Sequence, residues 1–169
     1  MTVAVIPVKS LAAGKSRLLP ELGRENLEAL SLAMLEDLIT ALIATPGVSR
    51  VAVATPDDRV AEHARGLGAE ALHGPDPGLN AALDAAPVKL ALAADAPLLV
   101  VLGDVPGARP DELQQLFDAA ETMAPGPTAV LAPSRDGGTS ALLRSPHGAL
   151  PSRFGPQSAA RHREAAEHA

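Results

Sequence analysis

A chain of 169 residues with 47% hydrophobic and 20% charged side chains is long enough for one globular domain and too apolar to be intrinsically disordered. It has no Trp or Tyr, and Phe117 and Phe154 are its two phenylalanines, so the core must be aliphatic and single-stranded nucleic acid has almost no aromatic surface to stack on. The absence of cysteine excludes disulfides and thiolate metal sites, and no apolar run approaches the ~20 residues that cross a bilayer. With no basic segment leading into a cleavable apolar one at the N-terminus, the expected location is the cytoplasm, away from membranes and nucleic acid.

The net charge of -6 is unevenly spread. Residues 1–20 carry Lys9, Lys15 and Arg17 and no acid, whereas residues 21–123 carry seventeen acids against six basic residues. From 124 to 163 the balance reverses again, with Arg135, Arg144, Arg153, Arg161 and Arg163 against Asp136. If folding brings the two cationic segments together, the cleft between them would concentrate a small polyanion.

In chain order, the β-branched run Val3–Val8 reads as a buried strand that empties into the small-residue loop holding Lys9, Lys15 and Arg17. Arg24 to Thr45 follows with helical spacing of Leu27, Leu30, Met34, Leu38 and Leu42, stopped by Pro46-Gly47. Arg50–Thr55 is a second strand, and Pro56-Asp57-Asp58 opens a helix that ends near Gly66 to Gly68. Glu70–His73 reads as a third strand. After the turn cluster Gly74–Gly78, an Ala-rich helix runs from Leu79-Asn80 to about Ala94. Pro97–Leu102, continuously apolar, has the pattern of a central strand. A helix starts at Pro110, strands follow at Thr128–Ala132 and Ala141–Leu143, and a last helix spans Ser158–Ala169. Alternating strands and helices predict an α/β fold with a mostly parallel, doubly wound sheet in a single domain over 1–169. In such sheets ligands bind beyond the carboxyl ends of the strands, where the cationic and glycine-containing loops of this chain fall.

Four places carry chemistry. Gly14-Lys15-Ser16 resembles the end of a P-loop, but Lys9 stands where that motif needs its first glycine. A phosphate-contacting loop built on other lines is the better reading, with a solvated strand-to-helix connection as its alternative. Asp104 directly follows the central strand and lies too far before Pro110 to cap the next helix. A carboxylate at the mouth of a buried strand, opposite cationic loops, suits Mg²⁺, a hard ion that bridges nucleotide phosphates. Thr139-Ser140 after Gly137-Gly138 offers hydroxyls beside pliant backbone. Phe154-Gly155-Pro156-Gln157-Ser158 reads as a tight turn with Ser158 as a helix cap, near Arg161 and His162. The five histidines are scattered and read as surface residues.

Taken together, Ile6–Lys9, Gly14–Leu18, Leu79-Asn80, Gly103–Pro106, Gly137–Leu143 and Phe154–His162 resemble the phosphoenolpyruvate guanylyltransferase and 2-phospho-L-lactate guanylyltransferase family of coenzyme F-420 biosynthesis over nearly the whole chain. The Phe-Gly-Pro turn followed by Ser-x-x-Arg-His is the most specific part of the likeness. The resemblance implies a Rossmann-like nucleotidyltransferase fold of the nucleotide-diphospho-sugar transferase type, and transfer of GMP from GTP to phosphoenolpyruvate with release of pyrophosphate. It implies that Lys9, Lys15 and Arg17 contact the GTP phosphates, with Lys15 and Asp104 as the catalytic pair. Asn80 is then expected near the nucleoside, Asp104 on Mg²⁺, and Ser140, Gly155 and Ser158 at the phosphoenolpyruvate. The acceptor alternative is 2-phospho-L-lactate or a related phospho-acid; the alternative outside enzymes is a non-catalytic GTP-binding protein. Family members carry a further strand and an Asp-x-Asp-Thr-Pro-x-Asp-Leu segment with a second metal-ligating aspartate beyond the position of Ala169. The sequence therefore reads as a shortened form or one with weakened metal binding, its sheet edge open to a homodimer partner.

Overall fold

The computed structural model describes residues 1–12, 19–105 and 107–167. Along them run β1 (Thr2–Pro7), α1 (Leu19–Ile43), β2 (Val48–Thr55), α2 (Asp58–Gly66), β3 (Glu70–His73), α3 (Leu79–Lys89), β4 (Leu98–Val101), α4 (Pro110–Glu121), β5 (Thr128–Pro133), β6 (Thr139–Ser145) and α5 (Ser158–Glu167). The strands form one sheet in the order β3-β2-β1-β4-β6-β5. β1 pairs in parallel with β2 and β4, and β2 with β3, while β6 runs antiparallel to both β4 and β5. The expected mostly parallel α/β sheet is therefore present, with the apolar strand β4 in its interior.

Period-2 alternation sorts the strand residues onto two cores. Ala4, Ile6, Val53, Leu99 and Val101 pack with Leu35, Leu38, Ile39 and Leu42 of α1, Val60 of α2, and Leu113 and Leu116 of α4. Val3, Val5, Ala52, Leu98 and Val100 face the other way, onto Leu83, Ala86 and Leu90 and onto Leu150 and Phe154. Both faces are covered, which is why β1 and β4 read as unbroken apolar runs.

One expected boundary holds and two move. Helical structure begins at Leu19, but Gly23 (φ 70°, ψ 164°) breaks it, so the continuous helix does start at Arg24. Its buried stripe is Leu27, Leu35, Leu38, Ile39 and Leu42, with Leu30 turned to solvent. The Ala-rich helix ends at Lys89 rather than near Ala94: Ala91 adopts a left-handed conformation (φ 51°) just after Leu90, which is buried against the sheet. Helix propensity yields there to the need to return the chain to β4. β6 is longer than the Ala141–Leu143 core read from hydropathy. A register irregularity sets Pro133 opposite Thr139 and Ala132 opposite Ala141, leaving Ser140 as the extra residue of a bulge.

Candidate active site

The carboxyl ends of β1, β2, β3 and β4 open onto a cavity of about 480 Å³, with Lys9, Thr55, Pro75, Asp76 and Asp104 in its lining. Gly103 sets its geometry. A Cβ at that position would stand 3.1 Å from the Pro7 carbonyl oxygen and 3.2 Å from Val8 Cγ2. A side chain there would push the turn after β4 away from the end of β1 by a few tenths of an ångström, so glycine lets the two lie this close. Asp104 is thereby carried to the loop that bears Lys9. Both side chains are exposed, and neither makes a hydrogen bond or ion pair among the described residues. Helix α4 starts at Pro110, so Asp104 is not a cap for it.

The Lys9 loop is anchored from beneath. Asp57 caps α2 by accepting from the Arg59 and Val60 N–H groups and also accepts from the Leu11 N–H at 2.9 Å. Burial alone would raise the Asp57 carboxyl, but the N–H donors of Leu11, Val60 and Arg59 together outweigh it and hold the group below the usual carboxylate range. Val8 adds a bond to the Ala54 carbonyl at 2.9 Å. Gly14, Lys15, Ser16 and Arg17, the remainder of the expected phosphate loop, lie outside the described residues.

On the other side of Asp104 stands β6. The Leu102 N–H donates to the Ser140 carbonyl at 3.0 Å, so Ser140 adjoins the Gly103-Asp104 turn. Behind Ser140 lies a buried polar cluster. The Ser158 hydroxyl donates to Thr139 Oγ1 at 3.1 Å, and Thr139 Oγ1 meets His162 Nδ1 at 3.0 Å. His162 Nε2 accepts the Arg153 N–H at 2.9 Å, and the Phe154 ring packs edge-on against the imidazole. Gly155 follows in a left-handed conformation (φ 124°) and receives the Ser158 N–H on its carbonyl. Asn80 ties this turn to α3: its amide donates to the Phe154 carbonyl at 3.1 Å and accepts the Phe154 N–H at 2.7 Å.

Ser140, Gly155, Ser158 and Asn80 thus belong to one connected network, and Lys9 and Asp104 line one cavity. Asn80 stands between the two, since its neighbours Leu79 and Ala82 line the cavity while both of its own amide atoms are taken by Phe154. Two expectations are corrected. Ser158 is the first residue of α5 itself, and its buried hydroxyl turns inward to Thr139 rather than capping the helix. His162 is not a surface residue: it is 1% exposed. Burial, followed by the charges of Arg144, Arg161 and Arg153, pushes its pKa down to about 4, so the ring is neutral at pH 7. Hydropathy hides such a residue because a histidine on a mostly polar helix looks solvated; its spacing from Ser158 (i, i+4) was the available signal.

The second cationic segment only partly reaches the cleft. Arg161 donates to the Pro156 carbonyl at 2.8 Å beside the Gly155 turn. Arg144, by contrast, is buried at the opposite end of β6, opposite Leu98, where Asp84 (3.4 Å) and the Leu150 carbonyl (2.8 Å) hold it. Asp84 also accepts the Ser152 N–H at 3.0 Å, so this acid serves to fix the loop that leads to Phe154. Among the described residues no helix is long and apolar enough to cross a membrane.

A cleft at parallel strand ends, with a lysine and a carboxylate that are unpaired among the described residues, suits a phosphorylated ligand. The comparisons with known proteins agree in kind. A family model described as guanylyl transferase CofC like matches residues 2–169. A phosphoenolpyruvate guanylyltransferase of Nocardia farcinica is 42% identical over 166 residues, covering 94% of this chain and 71% of that protein. One of Mycolicibacterium gilvum is 43% identical over 166 residues, covering 95% of this chain and 75% of that protein. The backbone is similar to a crystal structure assigned to a nucleotide-diphospho-sugar transferase from Desulfovibrio desulfuricans G20, with a TM-score of 0.72 at 14% identity over 98% of this chain and 76% of that one. The fold is therefore the nucleotidyltransferase fold expected from the sequence, and the chain belongs to the guanylyl transferase CofC-like family.

Proposed function

We propose that this chain transfers GMP from GTP to phosphoenolpyruvate, as a step in the making of a deazaflavin coenzyme. The observation that carries the reading is the position of Asp104. It is unpartnered among the described residues, with the Lys9 wall on one side through Gly103 and the Ser140 wall on the other through Leu102. The names of the relatives support the acceptor.

In this reading an oxygen of the phosphoenolpyruvate phosphate attacks the α-phosphorus of GTP, forming a new phosphoanhydride bond as the bond to the β-phosphate oxygen breaks and pyrophosphate leaves. The acceptor is already an anion, so the site has to align and neutralise rather than remove a proton. Lys9, with Lys15 and Arg17, would neutralise the triphosphate. Asn80 would border the nucleoside through the start of α3, and Ser140, Gly155 and Ser158 would form the acceptor side. Asp104 fits a divalent ion such as Mg²⁺ as a single exposed oxygen ligand, and no group of three or more His, Cys, Asp or Glu is placed to hold a metal among the described residues. Asp104 would hold such an ion, and the charge it supplies when bound would offset that of the phosphates.

The test is direct. Incubation with GTP, Mg²⁺ and phosphoenolpyruvate is expected to release pyrophosphate and form a guanosine diphosphodiester of the acceptor. The reading fails if pyrophosphate appears only with 2-phospho-L-lactate or another phospho-acid, or with none.

A further inference from the structure

We propose that Thr139 and His162 form a positioning pair that sets the acceptor side of the cleft, although neither would touch a substrate. The inference rests on the reading above, in which Ser140, Gly155 and Ser158 make up that side.

The hydrogen bonds define the pair's polarity. The Arg153 N–H donates to His162 Nε2, so Nε2 carries no proton and the neutral ring holds its proton on Nδ1. Nδ1–H therefore donates to Thr139 Oγ1, which also accepts the Ser158 hydroxyl. One imidazole and one hydroxyl thus tie together three separated pieces of chain: the start of β6, the 153–155 turn and the first turn of α5. The bulge at Ser140 is what makes this possible. Strict alternation would put Thr139 on the face of Ala141 and Leu143; the extra residue turns it to the face of Phe154 and α5 instead.

A buried cluster of this kind is a poor way to gain stability, since an apolar plug of the same volume would serve as well without the cost of burying polar groups. What it provides is directional order. Thr139, Ser158 and His162 are each at most 2% exposed, while the groups they hold, Gly155 and the flank of Ser140, face outward. The Phe154 turn is then gripped from both sides, by His162 through Arg153 and by the amide of Asn80.

The experiment is steady-state kinetics on four variants of the full chain, with each substrate varied in turn. Thr139→Val keeps the shape and loses the hydroxyl; it is expected to raise KM for phosphoenolpyruvate about tenfold while KM for GTP stays within about twofold. Thr139→Ser restores the hydroxyl and should return KM to within about threefold of the parent. His162→Gln can still accept from Arg153 but loses the Nδ1 donor, and should resemble Thr139→Val. His162→Leu loses both bonds and should exceed it. If His162→Leu does not fold, the near-isosteric Thr139→Val and His162→Gln still decide the matter. A folded Thr139→Val with both KM values unchanged, whether or not kcat falls, overturns the positioning role while leaving the proposed reaction intact. A parent protein that releases no pyrophosphate with phosphoenolpyruvate overturns the reaction itself, and the positioning role with it.

Discussion

The two walls of the cleft solve opposite problems. On the β1 side, Lys9 and Asp104 are exposed and without partners among the described residues, their placement set by backbone packing at Gly103 and by Asp57 beneath. On the α5 side, Thr139, Ser158, His162 and Asn80 find partners inside the protein, and what they offer a ligand is a fixed turn rather than their own free atoms. Charge kept in water costs little to hold ready, whereas a buried polar group must be bonded to be tolerated at all. Changes to the first wall should therefore act on activity with little effect on stability, and changes to the second on both.

The sharpest separation is expected at Asp104. Asp104→Asn keeps the volume and removes the charge; pyrophosphate release should fall at least about 10³-fold, equivalent to ~4 kcal/mol, with the melting temperature unmoved. A mutant that turns over well would remove Asp104 from the metal site. On the opposite wall, acid should act on folding. The pKa of His162 is lowered from 6.5 to about 4. Between these values the unfolded chain binds a proton that the folded chain refuses, so the stabilising term is complete above pH 6.5 and is lost as the pH falls toward 4. For this one group the loss approaches about 3 kcal/mol. Urea titrations of the parent and of His162→Gln across that window measure it as the difference in slope; parallel curves would break the assignment.

Asn80→Ala removes both bonds to the Phe154 backbone. It should cost about 2 kcal/mol of stability, read by chemical denaturation, and raise KM for the acceptor more than for GTP. In the proposed reading Asn80 borders the nucleoside, but both of its amide atoms are already taken by the Phe154 turn. An effect confined to GTP would instead mark Asn80 as a nucleoside contact. The smallest change is expected for Asp57→Ala, about 1 kcal/mol from the lost helix cap. Because Asp57 also holds Leu11, KM for GTP should rise a few-fold with that for phosphoenolpyruvate unchanged. These last two variants differ in which substrate they affect, and that difference tests whether the walls are separate devices.

Much of this was legible in the residues. β1 and β4 announce themselves as apolar runs because both faces of a parallel strand are covered, and Asp104 stands out as an acid at a strand mouth with no helix to cap. The places where the reading fell short share one cause: each depends on a contact between distant segments. Ala91 ends α3 against its local propensity because Leu90 must pack on the sheet. Arg144 counts as a surface cation until Asp84, sixty residues away, is seen beside it. His162 counts as solvated until Arg153, Phe154 and Thr139 enclose it.

The order of elements, the parallel core and the position of Lys9 after β1 thus follow from the sequence alone, because hydrophobic periodicity and turn chemistry are local and survive without the fold. The antiparallel turn of β6, the bulge that re-aims Thr139, and the burial of His162 and Ser158 belong to the tertiary structure. A register irregularity is a relation between two strands that side-chain periodicity does not encode, and the Thr139–Ser158 hydrogen bond joins residues nineteen positions apart.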